Sequence, residues 1–271
     1  MKFGFSTLGC PGWLWSEIIT AASDLGYDGI ELRGIGNEMY LPKHKQFSLE
    51  KIPALRAKLQ KIKLDIPCLT TGAFLFEAEK KESARAEVVD YLELASKLQA
   101  PCIRVLGDAN PEPGQVDEAL VEENLLYLLP LAAEKKVTLL LETNGIYASS
   151  SKLLALMEKI NHPNLAVLWD IHHPYRFQNE PIAQTYKALK HWIKHVHVKD
   201  SIFSQGKAQY RMLGSGDIPV AEAVSLLSAD QYSGYLVLEW VKRWNMDLEE
   251  PGIVFSHYLN TIKMISGAPK L

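Results

Sequence analysis

Paired cysteines are missing from this chain of 271 residues: Cys10, Cys68 and Cys102 stand far apart, with no ribbon or disulfide spacing. Neither a structural zinc ribbon nor a disulfide framework is therefore suggested, and a reducing cytoplasm fits. Cationic excess is missing too. With 29 Lys and Arg against 32 Asp and Glu, the net charge of −3 offers no clustered positive footprint for a phosphate backbone, so no nucleic-acid partner is expected. No run of about 18 apolar residues occurs that could span a bilayer. The opening MKFGFSTLGCPGW is broken by Gly4, Gly9 and Pro11 before a signal-peptide core could form. The expectation is a soluble cytoplasmic protein without a membrane partner. No Pro/Gly/Ser-rich linker divides the chain either, so residues 1–271 are expected to form a single domain. What is present is an ordinary globular composition, 47% hydrophobic and 23% charged, which favours small-molecule chemistry over disorder or fibre formation.

Short apolar runs alternate with longer segments of helical period through eight rounds. The expected strands are KFGFS (2–6), GIELR (29–33), LDIPCLT (64–70), CIRVLG (102–107), VTLLLET (137–143), LAVLWD (165–170), KHVHVKD (194–200) and YLVLEW (235–240). Runs such as VTLLL, apolar on nearly every residue, belong where both faces of a strand are covered, as in a parallel sheet wrapped by helices. The expected helices are 16–25, 48–62, 80–98, 115–135, 149–160, 181–191, 218–229 and 248–264. In the third, Val88, Leu92, Ala95 and Leu98 recur at spacings of three and four, opposite a face of Lys80, Lys81, Glu82, Arg85 and Glu87. Ser48 and Ser149 are candidate N-caps, and Gly26 follows the first helix where a left-handed residue is common. Eight strand–helix units in about 250 residues predict an α/β fold, a single-domain (β/α)8 TIM barrel. The longest irregular stretch, 200–217, is a functional-loop candidate with Gly206, Gly214 and Gly216.

In such a barrel, polar residues at the C-terminal ends of strands form the active-site rim. Four consecutive strands end that way: the fifth in Glu142, the sixth in Asp170, the seventh with His197 and the eighth in Glu239. A single carboxylate closing a strand can simply open a loop, but three carboxylates and one imidazole on four successive strands point to one divalent ion. Carboxylates plus one imidazole suit Mn, Co, Mg or Zn without selecting among them. In HVHVKD, period-two alternation puts His195, His197 and Lys199 on one face. If that face lines a barrel, His197 stands at metal height, His195 lies one layer deeper as a support behind the metal ligand or a substrate-binding group, and Lys199 reaches above it toward the substrate. A hydrogen-bonded core histidine is the competing reading for His195, and a carboxylate-paired or snorkelling side chain for Lys199.

The pieces LETN, WDIHH, HVHVKD, LGSGDIP and LVLEW, in this order and on these strands, together with GYDGIELR, resemble the xylose isomerase-like TIM barrel superfamily, the sugar phosphate isomerase/epimerase group. The resemblance covers essentially the whole chain. It implies that Glu142, Asp170, His197 and Glu239 ligate one divalent metal and that His173, rather than His172, contacts substrate. It also implies a polar substrate contact for Arg104.

With Glu142 and Glu239 on strands roughly 135° apart around the mouth, one carboxylate can remove a proton α to a carbonyl while the other returns it. An enediolate would be stabilised by the metal. The expected activity is therefore an isomerase or epimerase of a small sugar, keto-sugar or sugar phosphate, with a keto-inositol or dehydroshikimate type dehydratase as the alternative. An endonuclease IV-type hydrolase is disfavoured because LTTGAF and IRVLGD lack the extra histidines of a three-zinc site. A non-catalytic sugar-binding module is disfavoured because both glutamates are retained. Lys207 and Arg211, in the seventh loop, are candidates to clamp a phosphate or carboxylate, with a solvated surface as the competing reading. Gly214-Ser215-Gly216 has the look of a phosphate nest and Asp217-Ile218-Pro219 that of a helix start. Trp13, Trp15, Trp240 and Trp244 suit either the C–H face of a sugar or loop packing. Exposed aromatic helices are compatible with a homo-oligomer.

Overall fold

Each of the eight apolar runs forms an extended strand, and its two faces bury against different surroundings. The computed structural model describes residues 1–268. Its strands are β1 (Lys2–Ser6), β2 (Gly29–Glu31), β3 (Cys68–Phe74), β4 (Cys102–Leu106), β5 (Thr138–Glu142), β6 (Leu165–Asp170), β7 (Ile193–Val198), β8 (Asp200–Ser204), β9 (Lys207–Arg211) and β10 (Tyr235–Leu238). All but β8 and β9 pair in parallel, in the order β2-β1-β10-β7-β6-β5-β4-β3. Closure between β2 and β3 is made by backbone bonds, Leu32 N–H to Cys68 O at 3.2 Å and Thr70 N–H to Leu32 O at 2.9 Å. The result is a nearly closed TIM barrel ringed by helices.

Period-two alternation divides the interior in two. Leu139, Leu141, Val167, Trp169, Val196 and Val198 face outward and join one large core with helix residues such as Val88, Leu92, Ala95 and Leu98. Cys68, Cys102, Leu140, Ala166 and Leu168 face inward and form a separate small cluster that plugs the lumen. Gly4 leaves room on that inner face, where a Cβ would lie 3.0 Å from Gly29 O and 3.2 Å from Val237 Cγ2.

The helices are α1 (Trp15–Leu25), α2 (Ile52–Lys61), α3 (Lys81–Leu98), α4 (Glu118–Lys135), α5 (Ser150–Ile160), α6 (His172–Gln178), α7 (Ile182–Leu189), α8 (Val220–Ala229) and α9 (Pro251–Ser266). Gly26 closes α1 at φ 78°, in the left-handed region that a glycine adopts without strain. Among the described residues, no helix is long and apolar enough to cross a membrane.

Four local expectations change. The third strand starts at Cys68 rather than residue 64, because Pro67 has no N–H to donate to a ladder, and it runs on to Phe74. Ser48 is not a helix cap: residues 48–51 form a turn whose Ser48 carbonyl accepts from Lys51 and Ile52, and α2 begins at Ile52. Ser149 does occupy the N-cap of α5, yet its hydroxyl pairs with Ser151 Oγ at 3.1 Å instead of capping the backbone. The stretch 200–217 is not irregular, since it contains the antiparallel β8–β9 hairpin.

Candidate active site

The inward-facing residues at the C-terminal ends of β5, β6, β7 and β10 meet above the apolar plug. Glu142 closes β5, Asp170 closes β6, His197 lies next to the end of β7, and Glu239 follows β10 directly. All four are buried, and one ligand atom from each lies within 4.8 Å of the others. That is close to the limit of about 4.6 Å set by bonds of roughly 2.0–2.3 Å to one ion. His197 Nδ1 is 3.5 Å from Glu239 Oε1, 3.8 Å from Asp170 Oδ2 and 3.9 Å from Glu142 Oε1.

Two features of the chain itself fit a cation at this convergence. His197 Nδ1 is a buried nitrogen with no hydrogen-bond partner among the described residues, aimed at three carboxylates. The lumen also holds four buried carboxylates, Glu31, Glu142, Asp170 and Glu239, against two buried fixed cations, Arg104 and Lys199, which leaves two negative charges uncompensated. Burying unbalanced charge is costly, and a dication would remove the imbalance.

Without such an ion, protons respond to the same imbalance. Burial raises the Glu142 carboxyl above its ordinary value, Arg104 opposes the rise and Glu239 adds to it. Burial alone would depress the His197 imidazole, but Glu31 and Glu239 outweigh it and push it up to about 9. Glu239 is held low despite burial, chiefly by Lys199 and then by His197.

Two side chains hold the carboxylates from above and beside. Lys199 Nζ contacts Glu239 Oε2 and lies 3.0 Å from His173 Nε2. It also sits 2.7 Å from Asp170 Oδ2, a charge contact without hydrogen-bond alignment. Arg104 on β4 approaches Glu142 Oε2 at 3.2 Å in the same unaligned way and donates to Thr71 O at 3.3 Å. His173 is the second residue of α6 and hydrogen-bonds Thr143 O through Nδ1 at 3.0 Å. Because a carbonyl only accepts, Nδ1 carries the proton and Nε2 faces Lys199.

Not every candidate joins this cluster. His195 lies one layer deeper, its Nε2 2.9 Å from Glu31 Oε2, as a buried, hydrogen-bonded histidine beneath the four groups. Arg211 closes β9, where its guanidinium donates to Tyr210 O at 2.9 Å and Gln209 Oε1 at 2.8 Å and touches none of the four groups. The supposed phosphate nest is filled by the chain: Asp200 Oδ2 accepts from Gly214 N–H and Gly216 N–H, each at 2.9 Å, and Asp200 Oδ1 from Ile218 N–H at 3.2 Å. A Cβ on Gly216 would collide with that carboxylate. Trp13 packs edge-on against Phe255 and Trp15 against Phe47, while Trp240 is buried and donates to Glu249 O at 3.0 Å. Only Trp244 of the four stands exposed.

Glu31 is the residue the sequence reading passed over. It closes β2 in the same way that Glu142 closes β5, so the strand-end rule could have found it; the three-residue strand hid the parity.

The chain matches the family model described as the xylose isomerase-like TIM barrel over residues 19–254. It belongs to that family. It is 26% identical to the fructoselysine 3-epimerase of Escherichia coli O157:H7 over 262 residues, 93% of each chain. Among solved structures, it superposes on the IolI protein with a bound zinc atom at a TM-score of 0.80 and 16% identity, covering 98% of both chains. The probable 3-DHS dehydratase AsbF from Bacillus anthracis matches at a TM-score of 0.77 and 19% identity, covering 97% of this chain and 99% of that one.

Proposed function

We propose that this family member is a divalent-metal-dependent epimerase or isomerase of a ketose-type carbohydrate. The observation that carries the reading is the position of Glu142 and Glu239 at the two ends of a four-strand arc, with Asp170 and His197 between them. The similarity to fructoselysine 3-epimerases over 93% of each chain supports a sugar epimerase.

Each glutamate divides its two oxygens. Oε1 of Glu142 and of Glu239 faces His197 Nδ1, while Oε2 meets Arg104 in one case and Lys199 in the other. Oε1 therefore belongs to the cation point, while Oε2 of each glutamate, held by Arg104 or Lys199, is the oxygen left to act on a substrate lying between them. A dication held by Glu142, Asp170, His197 and Glu239 would stabilise negative charge developing on substrate oxygens. One glutamate removes a proton from the carbon next to the carbonyl, and the other delivers a proton to the opposite face, which inverts that centre. Lys199 and His173, 3.0 Å apart, are placed to hold a substrate oxygen, and Arg104 keeps Glu142 in position. The hard oxygens with one imidazole suit Mn, Co, Mg or Zn.

The test is elemental analysis of the purified protein, followed by incubation with a panel of ketoses and ketosyl amines in deuterium oxide. The expected result is deuterium entering next to the carbonyl, lost on chelation and restored by a divalent ion. Ultraviolet absorbance from an enone or catechol, with loss of water, would instead assign a dehydratase. Absence of exchange across the panel, with or without metal, would refute the reading.

A further inference from the structure

Directly below the cation point lies a carboxylate to which the proposed reaction assigns no step. Glu31 is fully buried on β2, three strands around the wall from β7. Its Oε2 meets both histidines of the HVHV run, His195 Nε2 at 2.9 Å and His197 Nε2 at 2.8 Å. An ionised carboxylate can only accept, so a single oxygen requires both rings to carry their proton on Nε2. That leaves the His197 lone pair on Nδ1, the atom that faces Glu239, Asp170 and Glu142 at 3.5, 3.8 and 3.9 Å.

Nothing else in the fold accounts for a charged group at this depth. The neighbouring lumen is closed by Cys68, Cys102, Leu140, Ala166 and Leu168, and an apolar residue on β2 would extend that plug at no electrostatic cost. The second oxygen, Oε1, makes no hydrogen bond among the described residues, so the bonds of Glu31 there go wholly to the two imidazoles.

We propose that Glu31 is a positioning residue: it locks His197 in the tautomer and ring orientation that present Nδ1 to the cation, and His195 holds Glu31 in place by sharing the same oxygen. This rests on the metal-dependent reading above. Outer partners of this kind typically change metal affinity by about 10–100-fold. His195 thereby acquires a role two steps from the ion, which explains why the strand spends two consecutive inward positions on histidine.

The same atoms have one other use. Glu31, Cys68 and His195 also converge closely enough to hold an ion of their own. Burial pushes the Cys68 thiol well above its ordinary value, which disfavours the thiolate that such a site needs. Stoichiometry separates the two uses.

The decisive variant is Glu31→Gln. Its amide oxygen keeps two lone pairs but loses the charge that holds both ring N–H groups, and its NH2 can turn to the rings and donate instead, so the Nε2-protonated lock weakens and an Nδ1-protonated imidazole becomes accessible. Manganese titration should show one ion per wild-type chain and an affinity about 10–100-fold weaker in Glu31→Gln, with cooperative unfolding retained. Nitrogen-15 NMR of the metal-free protein, at alkaline pH where the rings are neutral, should show Nε2-protonated His197 in the wild type and a shift toward the Nδ1-protonated form in the variant. His195→Gln should weaken manganese binding by a smaller factor. Unchanged affinity and tautomer in Glu31→Gln would overturn the proposal, as would two ions per wild-type chain. So would an Nδ1-protonated His197 in the wild type, a measurement that stands even if Glu31→Gln does not fold. If the wild type takes up no divalent ion, the proposed function falls, while the NMR measurement still decides the tautomer.

Discussion

Leu141 and Glu142 are adjacent on β5 and both are buried, yet they belong to different interiors. Leu141 faces the annulus between strands and helices, where stability depends on apolar area and close packing. Glu142 faces the lumen, where four carboxylates, two fixed cations and three inward histidine rings are held at a few ångströms. Burial fraction does not distinguish these regions; the side of the sheet does. One interior is organised to fold the chain, and the other keeps charge that folding alone would disfavour.

The comparison predicts opposite consequences for substitutions one residue apart. Glu142→Gln keeps the side-chain shape, removes one of the surplus negative charges and removes a proposed base. Its kcat/KM for the exchange reaction should fall by about 10³ or more, about 4 kcal/mol of transition-state stabilisation. The metal-free protein should lose no thermal stability. A Glu142→Gln protein that unfolds several degrees earlier would show the lumen to be structural after all.

Leu141→Ala should do the reverse. Deleting a fully buried leucine from the annulus costs about 2–5 kcal/mol, depending on how far the surroundings collapse. Denaturant unfolding should report that loss, while manganese affinity at low temperature stays within about twofold because no lumen contact is touched. A Leu141→Ala variant that binds the ion tenfold more weakly would mean that the two interiors are mechanically coupled.

How much of this was legible beforehand depends on which interior is considered. The annulus is written in periodicity: VTLLL and Val88-Leu92-Ala95-Leu98 declare a covered strand and an amphipathic helix, and the parallel barrel with its encircling α3 agrees. Glu142, Asp170, His197 and Glu239 were legible because each stands at a strand end with inward parity, and the backbone does bring them together. Parity alone could not say what meets a side chain across the lumen. That Glu31 on β2 reaches two histidines on β7, 164 and 166 residues away, is set by barrel closure and has no local signature. Lys199 was read as reaching toward substrate or pairing with a carboxylate, and parity could not show that Asp170 would lie 2.7 Å from it. The glycines at 214 and 216 were equally ambiguous, since a nest of N–H groups suits any anion, and here Asp200 reaches it first.

That internal anion gives a third, smaller test. Asp200 ties the end of the β8–β9 hairpin to the segment before α8 through three backbone N–H groups, and Arg176 Nη2 reinforces the same corner at Ser201 O, 2.9 Å away. Asp200→Ala leaves those donors unpaired, so a loss of about 1–3 kcal/mol is expected. The effect should be local: faster amide exchange at residues 214–218 with β5 and β6 still protected. Uniform loss of protection would place Asp200 in the folding core rather than in a loop clasp.

The smallest effect lies at the opposite end of the barrel, where charge meets water. Asp65 accepts from Lys2 Nζ at 2.8 Å and from the Tyr235 hydroxyl, joining the chain just before β3 to the starts of β1 and β10. Burial pushes this carboxyl up, but the hydrogen bonds from Lys2 and Tyr235 outweigh it and its pKa is lowered. A folded-state pKa below the unfolded value gives stability that is present above the unfolded pKa and is lost as pH falls through the folded one. With the Asp65 side chain half exposed, solvent screening keeps the contribution under about 1 kcal/mol. Asp65→Asn should therefore lower Tm slightly at neutral pH, by an amount that shrinks in acid below the carboxylate range and in high salt. A Tm difference that persists unchanged in acid and in salt would show that Asp65 acts by shape, and that even this exposed end of the barrel follows the packing rule of the annulus rather than the charge rule of the lumen.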